Sequence, residues 1–285
     1  MQSPQYDEEK SKTRGKIFVL SEDTTGDGVI NLDDLQWDYL DGDGDFRSAE
    51  VTGLRDEADI IITNPPFSLF REFVAWIMEA HKDFVIIGNQ NAITYKEIFP
   101  LLMHNQVWLG ATGFSRDMVF GVPEGAIVKE ADKKKAEKLG YVGNYTRLGN
   151  SCWFTNIDHG RRHRPLTLMT KDENIKFSKH KDIKGVGYQK YDNYNAIEVN
   201  YYDAIPSDYD GVMGMSITFL DKYCPEQFEI VGIAKRGPGD PALKTRVYTK
   251  ADFPNYSDLN AGPTLKDASG KLYNTYPRVL IRKRK

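Results

Sequence analysis

Hydrophobic positions along the chain come in short runs, and most of these have the length and residue types of strands. Residues 15–20 form the first run and residues 58–63 another; in the latter Ile60, Ile61 and Ile62 are consecutive and β-branched, which predicts a strand covered on both faces. The period then changes. Leu69, Phe73, Ile77 and Ala80 recur at helical spacing, with Phe70, Val74 and Met78 beside them, which predicts an amphipathic helix over residues 68–82. Residues 84–88 predict the next buried strand, with Asn89-Gln90-Asn91 at its carboxyl end, and residues 95–103 a short helix. Residues 106–110 and 118–122 predict a hairpin, residues 124–147 an exposed Lys/Glu-rich insertion, and residues 152–157 a last strand of the sheet. Beyond residue 159 helical runs are few, and Tyr188, Tyr191, Tyr194, Tyr201, Tyr202 and Tyr209 stand among asparagines and aspartates. Strands are predicted there at residues 228–233 and 276–281. The pattern predicts an α/β fold: a mostly parallel sheet with flanking helices, then a smaller, irregular, β-rich region. The polar residues 1–13 predict a frayed terminus.

The most constrained stretch is Asn64-Pro65-Pro66-Phe67, directly after the isoleucine run. Two prolines lack the N–H a ladder needs and fix φ near −65°, and Pro65 pushes Asn64 out of the helical region. The Asn64 amide and the Pro65 carbonyl therefore sit on a stiff hook at the carboxyl end of a strand, where open α/β sheets bind ligands. Phe67 adds a flat apolar face. Two acceptors beside an aromatic plate suit a planar ring bearing an exocyclic amine.

Two acidic stretches precede the hook. Asp23, Thr25, Asp27, Asn31 and Asp34 occupy positions 1, 3, 5, 9 and 12 of a loop with Gly28 at position 6, the spacing of an EF-hand-like calcium loop, with residues 35–40 as its exiting helix. A polar turn or a helix-capping loop fits the same residues. The second stretch is Gly42-Asp43-Gly44-Asp45-Phe46.

Composition narrows the class. No run of 18 apolar residues predicts a membrane span and no signal-peptide core opens the chain, so a cytoplasmic protein is expected. Two cysteines, Cys152 and Cys224, exclude a disulfide framework and read as small buried hydrophobes. The net charge of −3 conceals an asymmetry: residues 1–159 carry −10 and residues 160–285 carry +7. The second part has the charge expected of a phosphate-binding surface, and Arg161, Arg162 and Arg164 cluster at its start.

Asn64-Pro65-Pro66-Phe67 resembles the catalytic tetrapeptide of amino-directed, S-adenosylmethionine-dependent methyltransferases. With residues 42–48, Phe67-Ser68-Leu69-Phe70-Arg71-Glu72, residues 87–97 and the stretch from Asp210-Gly211-Val212-Met213-Gly214 to Gly232, most of residues 40–285 is similar to the EcoRI-type adenine-specific DNA methyltransferases. The resemblance implies a Rossmann-like methyltransferase sheet over residues 1–158 and a DNA-recognition region over residues 159–285. It implies S-adenosylmethionine as methyl donor, double-stranded DNA as substrate, and a cognate restriction endonuclease acting at the same site. Asn64, Pro65, Pro66 and Phe67 would be catalytic, and Asp45 and Phe46, with Asn64, would hold the cofactor. The residues of the basic cluster themselves leave two readings for Arg161, Arg162 and Arg164: contact with DNA phosphates, or a solvated linker. The family's glycine loop for the cofactor lies upstream of the part matched here, so an amino-terminally incomplete core is expected. Two other readings stay open: a catalytically silent DNA-binding relative, and an amino methyltransferase acting on cytosine N4, RNA or protein glutamine. A calcium-dependent binding module rests on residues 23–34 alone.

Overall fold

The computed structural model describes residues 6–112, 117–235, 243–252 and 258–284. The fold is mixed α/β with several small sheets, and the chain divides into two compact units. One comprises the residues up to Ile62 together with Ser68–Phe84; the other comprises Thr63–Phe67 and everything from Val85 on.

In the first unit the expected frayed terminus is instead a short helix, α1 (Glu8–Thr13), because the Asp7 carboxylate accepts the N–H groups of Glu9 and Lys10 at its open end. Residues 1–5 lie outside the described residues. Strand β1 (Lys16–Val19) pairs antiparallel with β2 (Gln36–Tyr39). The exiting helix expected over residues 35–40 is thus a strand. Gln-Trp-Asp-Tyr alternates with period two, and Trp37 packs on Phe18 and Tyr39 while the Lys16 ammonium lies 5.0 Å from the Trp37 ring centroid. Gly15 and Gly44 let the chain close here: a Cβ on Gly15 would stand 3.0 Å from the Gly44 Cα, and Gly44 has φ +84°. Helix α2 (Ala49–Glu57), capped by Ser48, leads to β3 (Ile60–Thr63). β3 is a strand as expected, but it is not covered on both faces, since Ile60 is 50% and Ile62 70% exposed. Helix α3 (Phe70–Glu79) buries Phe70, Phe73, Val74 and Ile77, a stripe shifted slightly from the one periodicity selects.

β4 (Asp83–Asn89) carries the chain from the first unit into the second at Val85. Asn89 ends it by capping the turn that follows, its side chain accepting the Asn91 N–H, while Gln90 donates to the Ser151 carbonyl. Helix α4 (Phe99–Met103) is shorter than residues 95–103 because Pro100, tolerated only in a first turn, fixes where it starts. The hairpin expected from residues 106–122 does not form. β5 (Trp108–Leu109) pairs with β8 (Ser151–Thr155), and β6 (Met118–Gly121) pairs with β7 (Tyr145–Leu148) across an excursion that carries α5 (Glu130–Lys138). β8 pairs antiparallel with β4 on its other side. It is the last strand of this sheet in chain order, as expected, and it lies in the interior between β4 and β5, buried on both faces.

The remaining chain contains a helix the sequence reading did not anticipate, α6 (Lys171–Phe177), held by a reciprocal capping box of Thr170 and Glu173. A four-stranded sheet follows in the order β11 (Phe228–Ala234), β14 (Arg278–Lys283), β10 (Met213–Ser216), β9 (Ile197–Val199); β12 (Thr264–Lys266) and β13 (Leu272–Asn274) form a separate hairpin. β9 and β10 run parallel, whereas β14 is antiparallel to both of its neighbours. Tyr191, Tyr194, Ala196, Val212, Leu265 and Leu280 share one buried core. Among the described residues no helix is long and apolar enough to cross a membrane.

Candidate active site

The hook has the local form its prolines dictate. Ladder geometry stops at Thr63, and a 3₁₀ turn, Phe67–Leu69, runs directly into α3. Pro65 is buried, whereas Asn64, Pro66 and Phe67 are exposed, the Phe67 side chain at 38%. An asparagine at such a position commonly closes its own turn, yet among the described residues nothing hydrogen-bonds the Asn64 amide. Its oxygen is a free acceptor beside an accessible ring.

Asp45 and Phe46 are arranged differently. The Asp45 carboxylate takes the Arg47 guanidinium, 2.6 Å from Oδ2 to Nη2 and 3.0 Å from Oδ1 to Nε, and also the Arg47 backbone N–H at 2.9 Å. These contacts, the side-chain bond first, hold it down at about 2. Arg47 reaches Glu72 as well, at 3.3 Å. Phe46 is a core residue, edge-on to Phe73 (5.0 Å between centroids) and to Trp76 (5.4 Å).

In the acidic loop the carboxylates face backbone amides. Asp34, buried, accepts the N–H groups of Thr24, Thr25 and Asn31 at 2.7–3.0 Å, and these bonds, that from Asn31 foremost, lower it to about 2. Asp23 accepts the N–H groups of Gly26 and Gly28. Asp27 accepts from Val29, and Asn31 forms a capping box with Asp34. Thr25 turns its hydroxyl to Asp23. Among the described residues no three His, Cys, Asp or Glu side chains form a group that would hold a metal ion.

Two of the three clustered arginines point inward. Arg161 donates to the Ala111 carbonyl and to Asp221 at 2.6 Å. Arg162 donates to Asn105 and Asp158 and stacks 4.0 Å over Trp108, with its side chain 12% exposed. These contacts occupy the fork that a phosphate needs. Arg164 is exposed. Cys152 and Cys224 are buried as expected, and burial pushes the Cys152 thiol up to about 12.

Sequence reading passed over one buried polar cluster. Arg278 donates to both Glu198 oxygens, with Nη2 2.6 Å from Oε1, and to Asn200; the Tyr191 hydroxyl donates to Glu198 from the other side. The signal was present: a glutamate within Ala196-Ile197-Glu198-Val199 and an arginine opening Arg278-Val279-Leu280-Ile281, both charges inside strand runs.

The profile of the family described as adenine-specific methyltransferase EcoRI matches residues 1–284. The chain belongs to that family. Among similar proteins, Type II methyltransferase M.EcoRI of Escherichia coli is 43% identical over 205 residues, which cover 72% of this chain and 59% of that protein. Type II methyltransferase M.MpnI of Mycoplasma pneumoniae is 34% identical over 247 residues, and M.MgeORF184P of Mycoplasma genitalium 34% over 246; each match covers 86% of this chain and 70% of the relative. This member of the EcoRI methyltransferase family thus spans between about three fifths and seven tenths of those proteins. No solved structure matches it significantly.

Proposed function

We propose that this chain serves adenine-N6 methylation of DNA, with S-adenosylmethionine as donor. The observation that carries the reading is the uncommitted Asn64 amide beside an exposed Phe67, in a chain of the adenine-specific family. An exocyclic aromatic amine is a poor nucleophile because its lone pair is delocalised into the ring. Asn64 Oδ1 and the Pro65 carbonyl would accept its two N–H bonds and favour the pyramidal geometry that returns the lone pair to nitrogen. Phe67 would stack on the base. The contribution is positioning and electrostatic stabilisation, with no covalent enzyme intermediate, in keeping with two buried cysteines. A base inside a duplex does not reach such a hook and must be flipped out, at a cost of about a few kcal/mol.

S-adenosylmethionine, when bound, would supply an electrophilic sulfonium methyl: the amine nitrogen would bond to its carbon as the C–S bond breaks, leaving S-adenosylhomocysteine and a proton. The fit of the donor to Asp45 and Phe46 is poor as they stand: the carboxylate is held by Arg47 and the ring by Phe73 and Trp76. We therefore assign the donor no contact here. β4 and β5 run in the same direction on either side of antiparallel β8, which supports a Rossmann-like sheet without requiring one. The engaged state of Asp45 favours a second reading, a DNA-binding relative without turnover. By analogy with the Type II relatives, a companion endonuclease would cut the same sequence.

Calorimetric titration with S-adenosylmethionine, with and without unmethylated duplex DNA, separates the readings. Stoichiometric donor binding, and methyl transfer to adenine reduced on the order of 10²-fold in Asn64→Ala, supports the enzyme. DNA binding without donor binding selects the silent relative.

A further inference from the structure

The second unit contains a cavity of about 230 Å³ that the catalytic reading does not use. It opens at the carboxyl ends of the parallel strands β9 and β10, lined by Tyr201 and Tyr202 after β9, by Ser216 at the end of β10 and by Thr218 after it. The rule that ligands sit beyond the carboxyl ends of parallel strands applies to this pair as it does to a larger sheet. The lining is chemically pointed. The Tyr201 ring lies flat against His180, with centroids 3.5 Å apart and planes 2° from parallel, and His180 Nε2 is fixed to Asp203 Oδ1 at 2.8 Å. Only one face of Tyr201 is covered by that stack, and the residue remains 37% exposed. Beside it Tyr202 is 43% exposed, with the Lys222 ammonium 5.7 Å from its ring centroid.

The floor is rigid. Asn200 accepts from Arg278, whose guanidinium is buried on Glu198, and donates to Asp182, so the start of the tyrosine segment is held from below. The wall carries hydrogen-bonding groups of both kinds. The Thr218 hydroxyl donates to Ser216 Oγ at 3.0 Å, which leaves the Ser216 proton to give and the Thr218 lone pairs to accept. Lys179, Lys181 and Lys184 are exposed on the adjoining segment, and Lys179 is tethered to Asp203 at 2.8 Å.

We propose that this cavity takes one unstacked nucleobase of the bound DNA and so fixes one position of the recognised sequence. The base continues the His180–Tyr201 stack, its edge meets the donor at Ser216 and the acceptor at Thr218, and its flanking phosphates lie toward the lysines. The volume suits a single ring system. Stacking on tyrosine supplies affinity without regard to sequence, whereas the hydroxyl pair discriminates between base edges. The inference rests on the DNA reading above and adds to it a second base-binding site, separate in chemistry from the hook.

The test needs neither donor nor turnover. The full chain is mixed with a pool of duplexes carrying a randomised 20-base-pair segment, bound DNA is recovered, and the enriched motif is read. Affinity for that motif is then measured by anisotropy for wild type and for Tyr201→Ala, Tyr201→Phe and Ser216→Ala, with thermal melting as the folding control. The expected results are at least a tenfold affinity loss in Tyr201→Ala, near-wild-type binding in Tyr201→Phe, and loss of preference at a single motif position in Ser216→Ala. Variants that melt, bind and select like wild type overturn the cavity's role, as does a wild type that binds duplex without enriching any motif. A wild type that binds no duplex overturns the underlying DNA reading instead.

Discussion

Gly214 illustrates how far one residue in this chain is fixed by its surroundings. A Cβ there would overlap the Tyr191 hydroxyl, and Tyr191 has nowhere to go: it is buried and donates to Glu198, which also receives Arg278. Burial pushes the Tyr191 phenol well up, and the Glu198 charge beside it adds to this, so the ring stays a neutral donor. Gly214→Ala should therefore lower stability by about 1–3 kcal/mol through overpacking, read as a shift of the urea midpoint at unchanged slope. Removing one charge of the pair is worse than removing both. Glu198→Gln should cost about 3–5 kcal/mol, because it strands a buried guanidinium, whereas Glu198→Leu combined with Arg278→Met should be milder than either single change. A double-mutant cycle in urea measures this, and strict additivity would show that the two groups do not act as a pair.

At the scale of elements, the loop from Asp23 to Asp34 shows what spacing conveys and what it omits. Spacing places oxygen atoms along the chain; it does not say which way they face. Here the Asp34 carboxylate is surrounded by three backbone N–H groups and serves as the loop's internal cap. Because its folded value, about 2, lies below the ordinary 3.8, the stabilisation is present above pH ~4 and is lost as pH falls toward 2. Asp45, lowered likewise to about 2, contributes in the same window. Acid titration followed by circular dichroism should show a loss of structure there, and Asp34→Asn should be less stable at pH 7 and respond less to acid. Calcium at 1 mM should leave the melting temperature unchanged relative to chelator; a clear rise would mean that the carboxylates release the amides to the ion.

The same distinction explains which elements were legible. The strand before the hook, α3 and β4 carry their own periodicity and were readable from it. β2 shows the two-residue alternation of Trp37 and Tyr39, but the loop motif before it points to a helix instead. β5 and β6 are neighbours in sequence, which suggests a hairpin, but each finds its partner later, in β8 and β7. β9 and β10 are three and four residues long and interrupted by charge or glycine, so local pattern could not separate them from loops. The hook itself was legible because proline chemistry is local. The inward turn of Arg161 and Arg162 was not, since their partners Asp221 and Asn105 lie more than 55 residues away.

For the molecule as a whole, charge sets the terms of the proposed DNA binding. The −10 carried by residues 1–159 repels a polyanion, and the +7 carried by residues 160–285 attracts one. Association should therefore be strongly salt-dependent, with affinity falling linearly in log–log form at a slope near −0.9 per phosphate neutralised. The arginine cluster divides under this test. Arg164, exposed, should behave as a phosphate contact: Arg164→Ala should reduce the magnitude of the slope by about 1 and weaken all duplexes alike. Arg162 should behave as a structural residue. Its guanidinium bridges Asn105 and Asp158 over Trp108, so Arg162→Ala should lower the melting temperature and leave the slope as it is. Anisotropy titrations between 50 and 300 mM salt, paired with melts, read both quantities on the same preparations. A slope that changes with Arg162 and not with Arg164 would reverse the assignment and place the guanidinium stack on the DNA side of the molecule.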